Sequence, residues 1–213
     1  MGSTEKFDYD YIVIGGGSGG LASGKQAAGL GARVLVLDFV KPSIRGLSWG
    51  LGGTCVNVGC IPKKLLHFAA QTRQFGVWEA PMLGCNPYVA LNPFSGFPEN
   101  QLKPCDWQTL VERVQSYIKQ LNFSYRVGLQ NAGCTYTRAL ARLVGPHTVE
   151  YEEKGVKKEV SAKHLLLAVG GRPHVPPEVP GAREFCVTSD EIFSLKQSPG
   201  KTSASPFSAQ LSL

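Results

Sequence analysis

The sequence predicts an α/β fold in which a parallel sheet with helices is followed by a β-meander. Three observations favour this fold: an apolar run that leads into a glycine-rich segment, a second apolar run that ends in an acid, and several short β-forming segments separated by turn residues. The chain has 213 residues, of which 43% are hydrophobic. It is therefore long enough to bury a sizeable core.

The first predicted unit is a strand, a glycine loop and a helix. Residues 9–14 are mostly β-formers, the six residues after them read Gly-Gly-Gly-Ser-Gly-Gly, and residues 21–29 resemble a helix. Gly15, Gly17 and Gly20 fill the three positions of a dinucleotide-binding fingerprint. The first glycine permits a tight turn, the second lets the backbone approach a pyrophosphate, and the third allows the helix to pack closely on the strand.

A second predicted strand covers residues 33–37 and ends at Asp38. An acid at this position of a βαβ unit commonly binds the hydroxyls of an adenosine ribose. The pattern predicts a Rossmann-like domain that binds NAD or FAD rather than NADP. The alternative is a glycine-rich loop in a fold that binds no nucleotide.

The segment 52–64 places Cys55 and Cys60 five positions apart, beside Lys63 and Lys64, at the predicted start of a helix. Residues five apart on a regular helix are rotated by about 500°, which leaves the two thiols about 140° apart around the axis. A disulfide between them requires a distorted turn, for which Gly59 supplies backbone freedom. We expect a reversible disulfide, with one thiol pKa lowered by the lysines and the helix N-terminus.

Two other interpretations of these cysteines are open. They are ordinary buried thiols, or they join Cys85 and Cys105 in a zinc site, although the spacing does not fit the usual zinc motifs. The neighbouring dinucleotide fingerprint favours redox chemistry with FAD, because a flavin can pass two electrons to a disulfide.

The glycine fingerprint, the segment 49–64 and Thr188-Ser189-Asp190 closely resemble the glutathione reductase family of pyridine nucleotide-disulfide oxidoreductases. Within that family, they are most similar to the large, animal-type thioredoxin reductases, and the resemblance spans most of residues 7–202. It implies a flavoprotein that uses FAD and NADPH to reduce the disulfide of a thioredoxin-like protein in cell redox homeostasis. It also implies that full-length relatives form homodimers.

The resemblance also implies roles for individual residues. Cys55 is the interchange cysteine that attacks the substrate disulfide, and Cys60 is the charge-transfer thiolate against the flavin. Lys63 lies beside the isoalloxazine ring, and Asp38 binds the adenosine ribose. The other positions expected to contact FAD are Gly15, Gly17, Ser18, Gly19, Gly20, Gly53, Thr54, Ala141 and Gly170.

Later elements are predicted from periodicity. Asp106 is expected to cap a helix whose apolar stripe packs in the core; the stripe consists of Leu110, Val111, Val114, Ile118 and Leu121. Residues 134–144, 148–151 and 156–160 are expected to form a β-meander, and residues 165–169 a strand buried on both faces. The proline-rich residues 173–180 are expected to form an extended connector.

The expected domain organisation is an FAD-binding domain over residues 1–202, with an irregular insertion at 81–105 and a divergent serine-rich tail at 203–213. The sequence contains no second glycine fingerprint, so we expect the family's NADPH and interface domains to be absent. Such a chain would not complete the reductase cycle alone. The alternative is a non-catalytic truncated isoform, a binding competitor or an unstable product. An NAD-dependent dehydrogenase is less consistent with the motifs.

Composition and the N-terminus give expectations about location and partners. No apolar stretch is long enough to span a membrane, and the N-terminus lacks a signal or transit pattern. The net charge of +6 comes from scattered Lys and Arg residues. We therefore expect a cytoplasmic protein with reduced or redox-active cysteines, no metal, and neither membrane nor nucleic acid among its partners.

Overall fold

A computed structural model describes residues 6–75, 82 and 105–203 of the chain. In these ranges the strands are β1 (Tyr9–Ile14), β2 (Val34–Leu37), β3 (Thr135–Thr137), β4 (Ala141–Leu143), β5 (Thr148–Glu153) and β6 (Val156–Leu167). The helices are α1 (Ser18–Gly29), α2 (Gly53–Val58), α3 (Cys60–Gln74), α4 (Trp107–Asn131), α5 (Ala182–Phe185) and α6 (Ser189–Ile192).

The strands form one six-stranded mixed sheet in the order β3-β2-β1-β6-β5-β4. Strands β3, β2, β1 and β6 are parallel, whereas β4, β5 and β6 form an antiparallel meander. β6 belongs to both parts, because residues 156–161 pair with β5 and residues 162–167 pair mainly with β1. This topology confirms the predicted α/β fold with a parallel sheet and a meander.

The core lies on both faces of β1 and β2. Ile12 contributes to one buried cluster with residues of the meander, and its neighbour Val13 contributes to the other cluster with residues of α1 and α4. All four residues of β2 are buried. Strands covered on both faces are continuous apolar runs, which is the pattern that predicted β1 and β2.

The long helix α4 begins where the sequence predicted. The carboxylate of Asp106 accepts a hydrogen bond from the backbone N–H of Thr109 at 3.0 Å and so caps the helix. Val111, Val114 and Ile118 of the predicted stripe are buried. The helix thus packs through the face that its periodicity indicates.

The predicted meander requires a correction at its start. Residues 134–144 do not form one strand of the meander, because they divide into β3 and β4. β3 extends the parallel sheet beside β2, and only β4 joins the meander by pairing with β5. A composition rich in β-formers predicts a strand but does not show which strand it will pair with.

A second correction concerns residues 156–160 and 165–169, which were predicted as separate strands. They belong to the single strand β6, which ends at Leu167. The prediction that residues 165–169 are buried on both faces is wrong, because Leu167 is 59% exposed and Val169 is 72% exposed. The apolar composition suggested burial, but the described elements leave this end of the strand open.

Other predictions fall partly or wholly outside the described residues. These are the insertion at 81–105, of which only Met82 and Cys105 are described, and the tail at 203–213, of which only Ser203 is described. Residues 173–180 contain no helix or strand. Among the described helices, none combines the length and the apolar character needed to cross a membrane.

Candidate functional site

The glycine loop between β1 and α1 is packed so tightly that two of its glycines have no room for a side chain. Gly15 has a φ of +114°, and a Cβ there would lie 2.1 Å from the carbonyl oxygen of Ala168. A Cβ on Gly20 would lie 1.9 Å from the carbonyl oxygen of Gly15. The fingerprint glycines therefore fix the turn and bring α1 directly onto the end of β1.

The N-terminus of α1 is open to an anionic ligand. Its N-cap is Gly17, which provides no side-chain cap, and the first turn contains no acidic residue. Ser18 and Gly19 are exposed. The first backbone N–H groups of a helix have no partner within the helix, and the helix dipole favours negative charge near them. These residues fit the pyrophosphate of a dinucleotide such as FAD.

Asp38 lies beside the glycine loop, as its position after β2 predicted. Its Oδ1 accepts a hydrogen bond from the backbone N–H of Gly16 at 2.8 Å. Burial raises the pKa of Asp38, while the Gly16 hydrogen bond and the charge of Arg138 act against this increase. The acid therefore holds the loop in place at the edge where a ribose would follow the pyrophosphate.

The same loop contacts the segment that contains the two cysteines. The N–H of Gly52 donates to the carbonyl oxygen of Gly16 at 3.0 Å. Gly53 has a φ of +72°, and a Cβ there would lie 2.7 Å from the Cα of Gly17. Helix α2 therefore begins in direct contact with the glycine loop.

The helix is interrupted between Cys55 and Cys60. α2 ends at Val58, α3 begins at Cys60, and Gly59 between them has φ −143° and ψ −119°. A Cβ on Gly59 would lie 2.9 Å from the carbonyl oxygen of Thr54 and 3.1 Å from the Cα of Cys55. The structure thus contains the distorted turn that the spacing of the cysteines requires, and Gly59 lets its two sides pack closely.

Cys55 and Cys60 are exposed free thiols, and their side chains are hydrogen bonded to each other. The hydrogen bond with Cys60 raises the pKa of Cys55, and burial adds to the increase. Lys63 acts in the opposite direction but does not reverse it. The sequence predicted a lowered pKa for one of the two thiols without saying which; at Cys55 the pKa is raised, because the neighbouring thiol has a larger effect than Lys63.

The two lysines of the segment have different surroundings. The backbone N–H of Lys63 donates to the carbonyl oxygen of Gly59 at 3.0 Å, which starts the hydrogen-bonding of α3. Lys63 is also the lysine whose charge acts on Cys55. Lys64 instead places its Nζ 4.5 Å from the centre of the Phe68 ring. Lys63 is therefore the charged partner of the thiols.

Two side-chain amides form a network beneath the cysteines. Asn57 donates to the carbonyl oxygens of Gly53 at 2.8 Å and Gly50 at 3.1 Å. Asn122 of α4 donates to the Oδ1 of Asn57 at 2.9 Å and to the carbonyl oxygen of Leu51 at 2.6 Å. Every contact of this network that involves backbone ends on the segment 50–53, which leads into α2.

A second polar cluster connects the loop before the cysteines to the end of the described chain. Arg172 forms an ion pair with Asp190 at 2.7 Å and lies 4.6 Å from the centre of the Trp49 ring. Thr188 caps α6 in a reciprocal capping box with Glu191. The Thr-Ser-Asp motif therefore starts a short helix and supplies the carboxylate that pairs with Arg172.

The remaining predicted site residues lie at several places in the fold. Thr54 is an exposed residue in the first turn of α2, and Gly170 has a φ of +67° in the turn after β6. Ala141 lies in β4, opposite Tyr151, and packs against the cluster that contains Leu37. Their contacts with FAD stay predictions. No cluster of three or more His, Cys, Asp or Glu side chains suited to a metal ion occurs in ranges 6–75 and 105–203.

Neither the Asn57–Asn122 network nor the Arg172–Asp190 ion pair was predicted from the sequence. A signal for the first was present, since Asn122 lies four residues after Ile118 on the buried face of α4. A polar residue in an apolar stripe requires a hydrogen-bond partner. Its partner, however, lies 65 residues away in the sequence.

Residues 9–204 match the family described as pyridine nucleotide-disulphide oxidoreductase, so the match includes the glycine loop, both cysteines and the meander. The chain belongs to this family. Membership of the pyridine nucleotide-disulphide oxidoreductases confirms the family resemblance that segments 15–20 and 49–64 indicated.

Similar proteins within the pyridine nucleotide-disulphide oxidoreductases are named thioredoxin reductases. One from Plasmodium falciparum (isolate FCH-5) is 49% identical over 199 residues, which are 92% of this chain and 34% of the relative. One from Emiliania huxleyi is 48% identical over 195 residues, 91% of this chain and 36% of the relative. The mitochondrial thioredoxin reductase 2 of Drosophila melanogaster is 44% identical over 202 residues, covering 94% and 37%. The chain spans about a third of the length of these relatives.

Proposed function

We propose that this chain is the FAD-binding and dithiol-bearing part of a disulfide oxidoreductase of the thioredoxin reductase type. The observation that carries the proposal is the contact between the glycine loop and the cysteine segment, in which Gly53 lies directly against Gly17. The pyrophosphate of a dinucleotide held by the loop would therefore lie next to α2, the helix that carries Cys55. The names of the similar proteins support the same activity.

The chain offers the residues that FAD requires at its pyrophosphate and ribose. The open N-terminus of α1 would hold the pyrophosphate, and Asp38 would lie at the adenosine ribose. Once reduced by a donor such as NADPH, a bound flavin would supply the electron pair that reduces the Cys55–Cys60 disulfide. We propose NADPH as the original electron donor in the longer relatives, on the basis of the family resemblance.

The two thiols would carry out disulfide exchange with a thioredoxin-like protein. The Cys55 thiolate attacks one sulfur of the substrate disulfide, which forms a mixed disulfide and releases the other substrate sulfur as a thiolate. Cys60 then attacks the Cys55 sulfur, so the Cys55–Cys60 disulfide forms and the second substrate sulfur leaves. Two electrons pass to the substrate, whose thiolates take up the two protons lost by the cysteines.

The proposed roles follow from the environment of each residue. Cys55 and Cys60 are close enough to share a hydrogen bond, so the second exchange needs no large movement. The charge of Lys63 stabilises a thiolate during exchange. We also propose that a longer form acts as a homodimer, as the family resemblance implies.

A visible absorption spectrum tests the proposal. The chain is purified with added FAD and reduced by two electron equivalents with dithionite. We expect retained flavin and a long-wavelength band that arises from a thiolate next to the flavin. Cys60→Ser should abolish the band, and Cys55→Ser should preserve it. A chain that never retains FAD would contradict the proposed function, and equal behaviour of both variants would contradict the assigned roles.

A further inference from the structure

Asn57 and Asn122 attach the dithiol segment to the long helix α4. Asn57 is only 2% exposed and lies on α2 between Cys55 and Cys60. Its Nδ2 holds the carbonyl oxygens of Gly50 and Gly53, and its Oδ1 accepts from Asn122. Both functional ends of the buried amide therefore have partners, which makes its orientation well defined.

Asn122 holds Asn57 and the segment 50–53 from the neighbouring helix α4. Its Nδ2 also donates to the carbonyl oxygen of Leu51 at 2.6 Å. A Cβ on Gly50 would lie 2.5 Å from the Oδ1 of Asn122, so the segment approaches α4 too closely for a side chain. The carbonyls of residues 50, 51 and 53 are thus all held by two amides.

The position of segment 50–53 determines two distances: the distance from Gly53 to Gly17 and the distance from Cys55 to Cys60. Gly53 at its end lies against Gly17 of the glycine loop, and α2 continues from Gly53 to Cys55. A disulfide requires its two Cα atoms within about 7 Å and a narrow range of orientations. Any movement of the segment would therefore change how well Cys55 is placed for a bond with Cys60.

We propose that Asn57 and Asn122 are positioning residues that set the thiol–disulfide equilibrium of Cys55 and Cys60. The inference rests on the proposed disulfide function of these two cysteines. By holding α2 in place, the amides keep the thiols adjacent, which favours disulfide formation over two separate thiols. Without them the segment relaxes, and the disulfide becomes easier to reduce.

The equilibrium is measured with glutathione as the redox partner. Cys55 and Cys60 lose two electrons and two protons and form their S–S bond, while one glutathione disulfide accepts them and becomes two glutathione molecules. The full chain is equilibrated in buffers of different glutathione ratios, and free thiols are alkylated. Mass spectrometry of the peptide that contains both cysteines then gives the oxidised fraction.

The decisive variant is Asn122→Leu, which keeps a similar shape and removes both donated hydrogen bonds. We expect its equilibrium constant for disulfide formation to fall at least about tenfold, which corresponds to about 30 mV. The matched control is Gln115→Leu. Gln115 lies two turns earlier on α4, and its amide also donates to a backbone carbonyl, that of Phe193 at 2.8 Å. This control should retain the wild-type equilibrium.

A second variant, Asn122→Asp, keeps the size of the side chain and adds a pH readout. Its carboxylate cannot donate to Leu51 or Asn57, whereas its protonated form can donate one hydrogen bond. We expect its difference from the wild type, compared at equal pH, to shrink as the pH falls through the titration of the new carboxyl. A loss of general packing alone would not give this dependence.

Three results would overturn the inference. They are an unchanged equilibrium in Asn122→Leu, an equal shift in the Gln115→Leu control, or a pH-independent difference in Asn122→Asp. Each of them leaves the proposed function intact if the wild-type disulfide still forms. A wild-type chain that never forms the Cys55–Cys60 disulfide would instead contradict the proposed function and this inference together.

Discussion

The Cys55 thiol holds its proton more strongly than an ordinary cysteine because its nearest polar neighbour is another thiol. The hydrogen bond with Cys60 favours the protonated form, and a negative charge on Cys60 would oppose a second one on Cys55. At a given pH, Cys55 therefore has a smaller thiolate fraction than an ordinary cysteine.

We predict that Cys60→Ala lowers the pKa of Cys55 towards its ordinary value. A raised pKa leaves a smaller thiolate fraction at a given pH, so its removal should increase the rate at which iodoacetamide alkylates Cys55 near pH 8. Peptide mass spectrometry measures this rate as a function of pH. The exposed Cys186 in the same sample serves as the internal control. An unchanged pH profile at Cys55 would show that Cys60 does not cause the shift.

Gly19 and Gly20 offer a matched pair of substitutions in the glycine loop. A Cβ on Gly20 would meet backbone at 1.9 Å, whereas a Cβ on Gly19 would meet nothing within 4 Å. We predict that Gly20→Ala destabilises the chain by about 1–3 kcal/mol through overpacking and abolishes FAD retention. Gly19→Ala should unfold at the wild-type temperature or higher. Thermal unfolding of both variants measures the difference, and equal effects would contradict the packing argument.

At the level of secondary-structure elements, hydrogen bonds from Arg33 connect the N-terminal ends of β1 and β2. Arg33 donates to both carboxylate oxygens of Asp10, at 3.1 and 3.0 Å, and to the backbone carbonyls of Asp8 and Phe7. The backbone N–H of Arg33 donates to Asp10 as well. One guanidinium thus connects the start of β2 to the chain that leads into β1.

These hydrogen bonds from Arg33 lower the pKa of Asp10 to about 2. A lowered pKa means that the carboxylate stabilises the fold above the unfolded-state value of 3.8, and that this contribution is lost as the pH falls towards 2. We predict that the Asp10 carboxyl titrates near pH 2 in an NMR pH titration. In Arg33→Gln its pKa should return towards 3.8. Titration near 3.8 in the wild type would contradict the bidentate contact.

Local elements of this fold were predictable because each carries its own signal. β1, β2, the glycine turn and the cap at Asp106 follow from apolar runs, glycine spacing and a polar residue before an apolar stripe. The place of β3 beside β2, and the single strand β6 in place of two, depend on pairing between distant segments. The amino-acid composition of a segment does not show which distant segment it will pair with.

The same distinction applies to the candidate site. The sequence predicted the distorted turn between Cys55 and Cys60, because five-residue spacing cannot be bridged on a regular helix. It did not predict the direction of the Cys55 pKa, since that depends on the contact between the two sulfurs rather than on nearby charges in the sequence. The Asn57–Asn122 network also required the folded position of α4.

At the scale of the whole molecule, the described sheet exposes apolar side chains near the end of β6 and in the connections around it. Leu167, Val169 and Leu140 are between 59% and 72% exposed. Burial of such surface by a ligand or by further protein is favourable. Separately, any ligand that binds only the folded chain raises the free energy of unfolding by mass action.

We predict that FAD at a hundred times its dissociation constant stabilises the chain by about 2.7 kcal/mol. For a chain of this size this corresponds to a rise in Tm of roughly 5–10 °C, measured by thermal unfolding. Riboflavin is the matched control, because it lacks the pyrophosphate and the ribose that α1 and Asp38 would bind. A similar rise with riboflavin would contradict the proposed role of the glycine loop.

The double pairing of β6 also affects how this protein is made. Asp8, just before β1, accepts hydrogen bonds from Ser161, which lies 153 residues later, and β1 pairs along residues 162–167. A ribosome releases the N-terminus first, so β1 and β2 leave the exit tunnel long before β6 exists. β1 can pair with β2 early, but its other edge stays unpaired until residue 167 has been synthesised, and an unpaired strand edge favours chaperone binding during translation.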